Sequence, residues 1–544
     1  MERRIPVLVV GGGLVGLSAA LFLGSHGVRT VLVERRESIS RLPRGRSLSI
    51  RTMELFRSVG LEEELRSTPP SVLRDLDVII QAESLSGPEV FRTTRPKKAG
   101  FADLSPTSPV TVDQNEVERV LLRNVLADGH ELLSRTEVES LTEAPGGVRA
   151  ELVDRETGRR TALVARYVIA ADGHRSRTRD ALGIGTSGIG NLCRYVNIPF
   201  TCDLSDALNG RSVALAYLDR PARNTMLTRL DGPDRWILMV PLDPDGAPPL
   251  TGERCADLVR AAVGSESVDP VILDDFLDRR RRLPEWDLSS WVADQYSSGR
   301  VLLAGDAAHV MPPAGGLGGN VGVQDAHNLA WKLALVLRGE AAPSLLDTYE
   351  QERRPVAEWT NEYSADRQLS RHDGKRGRGP VPDSLSIELG YRYLSDAVCD
   401  EPGDYDDLPA LSHLGSPGGR APHVALTRDG AVVSTLDLYR RSFVLVAGPR
   451  GHAWIHAARA VDAGTPLDLV HVGHDVGDLP GREGDWVRAH GVTESGALLV
   501  RPDGFVCWRA KDDLTASHQE VLSEALSRVL GAGAAAPTEP GTGR

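Results

Sequence analysis

Cysteine is scarce: the 544 residues hold five, Cys193, Cys202, Cys255, Cys399 and Cys507. Their number is odd, their spacing scattered, and no C-x-x-C occurs. A disulfide framework or a cysteine zinc centre is therefore not expected, and a reducing cytoplasm fits. Positive charge is also in deficit. The net charge is −12, which argues against nucleic acid as a main partner. A long unbroken apolar run is missing as well. Arg3-Arg4 and the apolar stretch to Leu23 have the outline of a signal peptide or anchor. Gly11-Gly12-Gly13 and Gly16 interrupt it, and no small-residue cleavage site follows. A cytosolic strand, turn and helix account for every residue, so no membrane partner is expected. What remains is ordinary for a globular enzyme, at 41% hydrophobic and 25% charged. The chain is too long for one core, and about three units are expected.

Ile5 to Val10 reads as a buried strand. It runs into Gly11-Gly12-Gly13-Leu14-Val15-Gly16, a G-x-G-x-x-G that opens a helix. A second strand, Val28 to Val33, ends at Glu34. Strand, glycine turn, helix, strand and a following acid are the full context of a dinucleotide fingerprint. Gly11 makes the turn, Gly13 admits a pyrophosphate to the helix N-terminus, and Gly16 allows helix to pack on strand. Arg35, Arg44 and Arg46 follow. Residue type alone leaves open whether these arginines reach a ligand or are solvated. A second G-x-G-x-x-G, at Gly183, Gly185 and Gly188, has neither strand before it nor helix after it, and reads as a linker turn.

Val301 to Leu337 carries the other half of a site. Val301–Ala304 is an apolar strand that stops at Gly305-Asp306, which puts a carboxylate at the edge where open α/β sheets hold ligands. Pro312, Pro313, Gly315, Gly316, Gly318 and Gly319 form a loop. A helical pattern then runs through Ala326, Leu329, Ala330, Leu333 and Leu337, with Gly339 as C-cap. Backbone N–H groups unshielded by side chains, next to a helix N-terminus, suit something flat, polar and electron-rich. Elsewhere, Thr52–Arg66 reads as one helix and Gln114 opens another. Ala171-Asp172-Gly173 ends a strand, and from Asn197 to Leu242 short strands alternate, which suits a substrate platform and equally a plain antiparallel sheet burying one face. Asp306, His309, Asp325 and His327 straddle a loop without ligand spacing, so no metal centre is expected. His309 and His327 are candidate bases by residue type only.

Four separated segments share one family's pattern. Gly11–Gly16 with Glu34, Ala171-Asp172-Gly173, Gly305-Asp306 and Gly316-x-Gly318-x-Asn320 together resemble the FAD-dependent aromatic hydroxylases of the para-hydroxybenzoate hydroxylase fold. RTMELFR (Arg51–Arg57) and LVRPDGFVCWR (Leu499–Arg509) are similar to the polyketide hydroxylase branch, whose members oxidise tetracyclic and angucyclic aromatic intermediates. The resemblance implies an α/β fold with three parts. A Rossmann-like FAD-binding domain would take residues 1–180 and 285–400. An inserted antiparallel substrate domain would take 181–284 with part of 75–110. A thioredoxin-like domain would take 401–530, before a disordered tail at 531–544.

The resemblance also implies roles. Gly11, Gly13 and Gly16, with Leu14 and Val15, would hold the FAD pyrophosphate, and Glu34 the ribose beside Arg35. Asp306 would meet the ribityl and pyrophosphate side. Arg44 and Gln114 fall where relatives contact FAD, Val138 where a backbone group meets adenine, and Asp172-Gly173 in a motif linked to FAD and NADPH. Gly316, Gly318, Gly319 and Asn320 would lie against the flavin, with Pro313 between flavin and substrate. Arg46, where some relatives carry Gly or Ala, would stand near the flavin C4a–N5 edge as a catalytic cation. Tyr217, Asn224 and Trp236 are the expected substrate contacts. The implied reaction takes NADPH (or NADH) transiently, then O2, and hydroxylates an aromatic polyketide through a C4a-hydroperoxyflavin. Baeyer–Villiger-type insertion and ligand binding without turnover are the alternatives. The chain would act as a monomer or homodimer. The C-terminal unit lacks C-x-x-C, so no redox role is expected of it.

Overall fold

The computed structural model describes residues 3–42, 44–94, 101–242, 251–277, 282–373, 382–399, 401, 403, 405–461 and 464–531. Pro43, Arg279–Arg281 of the arginine run before Trp286, part of the polar segment Ser370–Asp383, and tail residues 532–544 lie outside the described residues.

The first sheet grows from the apolar strand Arg3–Val10, whose Val7, Leu8 and Val9 are fully buried. Thr30–Val33 and Arg160–Ala170 pair with it, both parallel. Glu131–Leu133 and Val301–Leu303 extend the sheet on either side, again in parallel. Strands buried on both faces read as continuous apolar runs. One consequence matters for function. Gly11, Glu34, Ala171-Asp172 and Gly305-Asp306 all follow strands that end at the same sheet edge, although up to 295 residues separate them.

The second sheet runs in the order His309–Val310, Glu285–Ala293, Thr186–Thr201, Arg235–Pro241, Thr225–Gly232, Val213–Leu218, Val78–Ala82, Glu89–Thr94. It therefore includes Glu285–Ala293 and His309–Val310, which follow residue 284, where the resemblance would end the substrate domain. The long strand Thr186–Thr201 needs a partner along its whole length, and Glu285–Ala293 supplies one. Of the second glycine motif, Gly183, at φ +69°, lies in the expected turn after helix Arg177–Ala181, whereas Gly188 falls within this strand pairing. A Cβ on Gly188 would lie 2.6 Å from the Ser290 carbonyl oxygen. Helix Gly252–Val263 covers one face of the sheet with Cys255, Val259 and Val263. The helix expected over Thr52–Arg66 is two, Ile50–Ser58 and Glu62–Ser67, because Gly60 at φ +82° turns the chain between them.

In the C-terminal unit Phe443–Ala447 pairs in parallel with Leu467–His471 and antiparallel with Ala497–Val500, which pairs with Val506–Ala510. Helices His452–Ala460 and His518–Val529 pack with this sheet, a thioredoxin-like arrangement. The unit shares one core with the first sheet, through the helix Gly318–Arg338. There Trp331 meets Phe443 edge to face at 5.9 Å. That helix is buried on nearly every side, yet it carries Asn320, Gln324, Asp325, His327, Asn328 and Lys332 inward. Buried polar groups must be satisfied, and here they organise the site.

Candidate active site

The fingerprint loop is built on two positions that tolerate no side chain. Gly11 sits at φ +109°, and a Cβ there would lie 2.2 Å from the Ala171 carbonyl oxygen. A Cβ on Gly16 would lie 1.9 Å from the Gly11 carbonyl oxygen. Gly13 differs, since the nearest atom to its Cβ is Glu118 Oε1 at 3.7 Å. Space therefore opens above the N-terminus of helix Leu14–Ser25. Glu34 accepts from the N–H of Gly12 and of Arg36, each at 2.8 Å. Its carboxylate is thus fixed at the loop with lone pairs left for hydroxyl donors.

The loop before helix Ile50–Ser58 is pinned from two sides. Gln114 accepts from the Gly45 N–H at 3.1 Å and donates its own N–H to the Gly45 carbonyl at 2.8 Å. Asn320 accepts from the Ser49 N–H at 2.8 Å, and its amide donates to the carbonyls of Gly316 at 2.8 Å and Ser47 at 3.3 Å. The Asn320 side chain is thus committed to the protein, and its position in the first helical turn is what it offers a ligand. Between these anchors Arg46 Nη1 lies 3.6 Å from Asp113. Arg35 and Arg44 are exposed, and both lie near enough to Arg36 to act on its charge.

Two helix N-termini meet here. A Cβ on Gly319 would lie 3.2 Å from Leu14 Cδ2, and Cβ atoms on Gly305 and Gly322 would lie 2.7 and 2.6 Å from Val15 Cγ2. Only glycine allows that approach. Asp306, Pro313, Gly315 and Gly316 are exposed, while Val301–Gly305 and Ala307–His309 around them are buried. Asp172 accepts from the Ser176 hydroxyl at 2.5 Å and the Thr178 N–H at 3.1 Å, so its carboxylate holds the next helix, Arg177–Ala181. Arg179 of that helix lies over Trp291 at 4.7 Å and donates to the Ala307 carbonyl at 3.3 Å. This ties the Asp172-Gly173 turn to the Gly305-Asp306 turn. Val138 lies on the adjoining hairpin, two residues beyond the Thr136 N–H that donates to the Glu34 carbonyl at 3.0 Å.

Sequence reasoning missed Glu118. Its Oε1 accepts from the Leu14 N–H at 3.0 Å and from Gln114 Nε2 at 2.8 Å. Burial pushes this carboxyl above its ordinary value, against the opposing effect of Gln114 and Arg44. The amide of Leu14 is therefore engaged by the protein. The signal was present, since Glu118 stands one helical turn after Gln114 on the same face.

The second sheet turns an apolar face outward from its helix. Tyr195 stacks on Trp286 with centroids 4.9 Å apart, and Tyr217, Met226, Met239 and Leu288 join them. The Tyr195 hydroxyl donates to the Asn224 carbonyl at 3.2 Å, which brings Asn224 to the end of this face. Trp236 does not belong to it. Its indole is 2% exposed, donates to the Cys202 carbonyl at 3.0 Å, and packs with Leu238 and Val240 on the helix-covered side. Side chains alternate along a strand, so Trp236 lies on the face opposite Tyr217 and Met239 and is not brought together with Tyr217 and Asn224.

A cleft of about 650 Å³, lined by Ser25, Ser58, Arg440, Arg441 and Asp468, lies elsewhere. It adjoins helix C-termini, whose partial charge is negative, and it is not the anion-binding end of the fold.

Residues 4–364 match a family model described as FAD binding domain, and residues 415–533 one described as aromatic-ring hydroxylase, C-terminal. A putative polyketide hydroxylase of Streptomyces halstedii is 42% identical over 553 residues, covering 98% of each chain. The tetracenomycin A2 monooxygenase-dioxygenase of Streptomyces glaucescens is 40% identical, over 97% of this chain and 98% of its own. The ternary complex of aklavinone-11 hydroxylase with FAD and aklavinone superposes with a TM-score of 0.88 at 35% identity, over 98% of this chain and 100% of that one. The chain belongs to the FAD-dependent aromatic-ring hydroxylases.

The donor set of this hydroxylase fits FAD. Two helix N-termini would suit a long anionic ligand, the Glu34 carboxylate would suit hydroxyls, and the bare glycine loop would suit a flat ring. Both candidate histidines prove structural. His309 is fully buried and bonded to Asp325 at 2.7 Å. Burial holds the His327 imidazole well below its ordinary value, and Phe22 packs against it edge to face at 4.7 Å.

Glu388 is the unexpected titratable group. Its carboxyl accepts from the Ile50 N–H at 3.3 Å behind the pinned loop, and burial, more than the nearby Glu54, pushes it up to about 7. An acid whose folded pKa is raised costs stability as pH climbs from its unfolded value toward the folded one. Glu388→Gln keeps the acceptor and removes that cost. At roughly 1.4 kcal/mol per pH unit, the expected gain is about 2–3 kcal/mol at pH 8 and nearly none at pH 4.5. Denaturant melts at the two pH values check this, and equal gains at both would refute it.

Proposed function

We propose that this hydroxylase oxidises a polycyclic aromatic polyketide, with NADPH or NADH as transient reductant and O2 as oxygen donor. One observation carries the reading. The glycine loop where two helix N-termini meet follows directly from His309–Val310, an edge strand of the sheet whose free face is lined by Tyr195, Trp286, Tyr217 and two methionines. When bound, FAD supplies the redox and oxygen-transfer chemistry. The chain supplies placement, dryness and charge. Gly13 leaves room for the pyrophosphate, and Arg44 and Gln114 stand beside it. The positive N-terminus of Gly318–Arg338 favours negative charge on the reduced ring. Pro312-Pro313-Ala314 separates ring from substrate, and the stacked Tyr195–Trp286 pair excludes water around a flat aromatic. The relatives named above act on, or bind, substrates of this class, which supports the assignment. No helix among the described residues is long and apolar enough to cross a membrane, and the proposal places the enzyme in the cytoplasm.

The test is direct. The purified protein should be yellow, consume NADPH faster with tetracyclic phenols than without, and return products heavier by one oxygen atom. A colourless protein that stays inactive after FAD is added would sink the reading. Tight aromatic binding with unchanged NADPH consumption would point to ligand binding without turnover. Arg46→Ala tests the cation held beside Asp113. With its charge removed, product formed per NADPH should fall, because an electrostatic donor beside the developing charge is lost, while flavin content stays whole. Unchanged coupling would end that role.

A further inference from the structure

A chain of buried contacts leads from the C-terminal unit to the Gly305-Asp306 turn. Phe505 stacks on Tyr393 at 4.2 Å, with the rings inclined by 28°. Arg353 Nη1 donates to the Tyr393 hydroxyl at 3.1 Å, and Arg353 Nε donates to Asp325 Oδ1 at 2.8 Å. Asp325 Oδ2 accepts from the Gly305 N–H at 3.1 Å and from His309 Nε2 at 2.7 Å. Asp325, His309 and Arg353 are each fully buried. Burial disfavours the Asp325 charge, but His309 and Arg353 outweigh it, and the carboxyl is held below its ordinary value. A fixed anion therefore stands directly behind the turn and grips it from both sides of Asp306.

Gly305 is held at φ +61°, and Asp306 is exposed toward the proposed cofactor position while its neighbours are buried. A single carboxylate oxygen bonds Gly305, before Asp306, and His309, after it. The turn's shape is thus set by Asp325 more than by its own residues. The other end of the chain of contacts explains why a thioredoxin-like unit without C-x-x-C is present. Phe505 belongs to the turn Arg501-Pro502-Asp503-Gly504-Phe505, which is itself locked by Arg501 against Asp503 and Glu352. That turn reaches Tyr393, and through the Tyr393 hydroxyl Arg353.

We propose that Asp325 is the positioning residue for the Gly305-Asp306 turn, and that the C-terminal unit sets cofactor affinity through Phe505, Tyr393, Arg353 and Asp325. The inference rests on the reading that this turn meets FAD. Its test is FAD titration of apo-protein by flavin fluorescence, alongside the melting temperature of the same apo-protein. Asp325→Asn keeps shape and loses the charge that Arg353 and His309 face. Its FAD dissociation constant should rise about tenfold, the scale of a lost hydrogen bond to a charged group. Tyr393→Phe removes only the hydroxyl that Arg353 reaches and keeps the stack on Phe505. A rise of about threefold in the FAD dissociation constant is expected, beyond what the modest fall in apo melting temperature from the unpaired Arg353 N–H accounts for. Phe505→Leu should weaken FAD as well, and combining it with Tyr393→Phe should give less than the product of the two effects, because coupled residues are not additive. Equal FAD affinity in all variants, or losses that merely track melting temperature, would overturn the proposal while the parent still binds FAD. A parent chain that takes up no FAD would overturn the cofactor reading and this proposal with it.

Discussion

Gly16→Ala should purify almost without flavin. The added Cβ would stand 1.9 Å from the Gly11 carbonyl oxygen and 3.3 Å from Val9 Cγ1, and the nearer atom is backbone that no rotamer change can move. Either helix Leu14–Ser25 shifts outward or the turn at Gly11 opens, and both displace the N–H groups proposed to meet the pyrophosphate. Forcing a methyl into a packed site costs about 1–3 kcal/mol. Borne by the bound state, that is roughly tenfold to a hundredfold in FAD affinity. Gly13→Ala provides the contrast. Its Cβ would meet nothing closer than Glu118 Oε1 at 3.7 Å, so the apo-protein should melt as the parent does. The same methyl would nonetheless fill the space the ligand needs. Flavin content after purification and FAD titration of the apo-proteins measure both variants. A fully yellow Gly16→Ala protein would show that the loop binds no pyrophosphate.

Glu352→Ala should be the most destabilising single change near the C-terminal unit. Its carboxylate accepts from Arg501 at 2.5 and 2.9 Å, from Lys332 at 2.7 Å, and from Asn328 at 2.6 Å, with every one of these groups buried. Removing it leaves two buried cations facing each other, a loss of about 3–5 kcal/mol for a broken buried pair. The pH dependence identifies the cause. Burial pushes the Lys332 ammonium down to about 8 although Glu352 attracts it. The unfolded chain therefore binds more protons than the native one between pH 8 and about 10.4, and Lys332 makes stability rise with pH across that window. Glu352 works in the opposite range. Arg501 and Lys332 outweigh burial and hold its carboxyl far below its ordinary value, so its contribution is present above pH 4.5 and lost in acid. In the variant, Lys332 loses its main attraction and sheds its proton at lower pH. The deficit against the parent should narrow between pH 7 and 9 in urea melts. A deficit that stays flat with pH would assign the loss to packing alone.

The two variants probe parts of the molecule that differ in how openly the sequence shows them. The sheet edge was legible because its demands are local. Gly11, Gly16 and Gly305 occupy backbone positions closed to a side chain, and Glu34 and Asp306 follow strands whose apolar runs are plain. The helix ending at Gly339, at φ +77°, was legible for the same reason. Boundaries were less so. Gly60 broke one expected helix, and Glu285–Ala293 joined the second sheet because a neighbouring strand needed it.

Which side of the second sheet stays uncovered depended on where helix Gly252–Val263 lay down. Trp236 and Met239 belong to one strand, three residues apart, and only that packing told them apart. Glu118, Asp325 and Arg353 acquire their meaning from partners in other segments. Arg420 pairs with Glu54 across 366 residues of chain, and Arg51 reaches the Asp503 carbonyl across 452. The sequence by itself determined the cofactor fold, since glycine turns, strand ends and helix caps are written within a few residues. The tertiary structure alone decided which face of the second sheet is left free of its helix, the buried charge network, and the chain of contacts from the C-terminal unit to the Gly305-Asp306 turn. Those rest on contacts between distant segments, and local pattern carries no record of them.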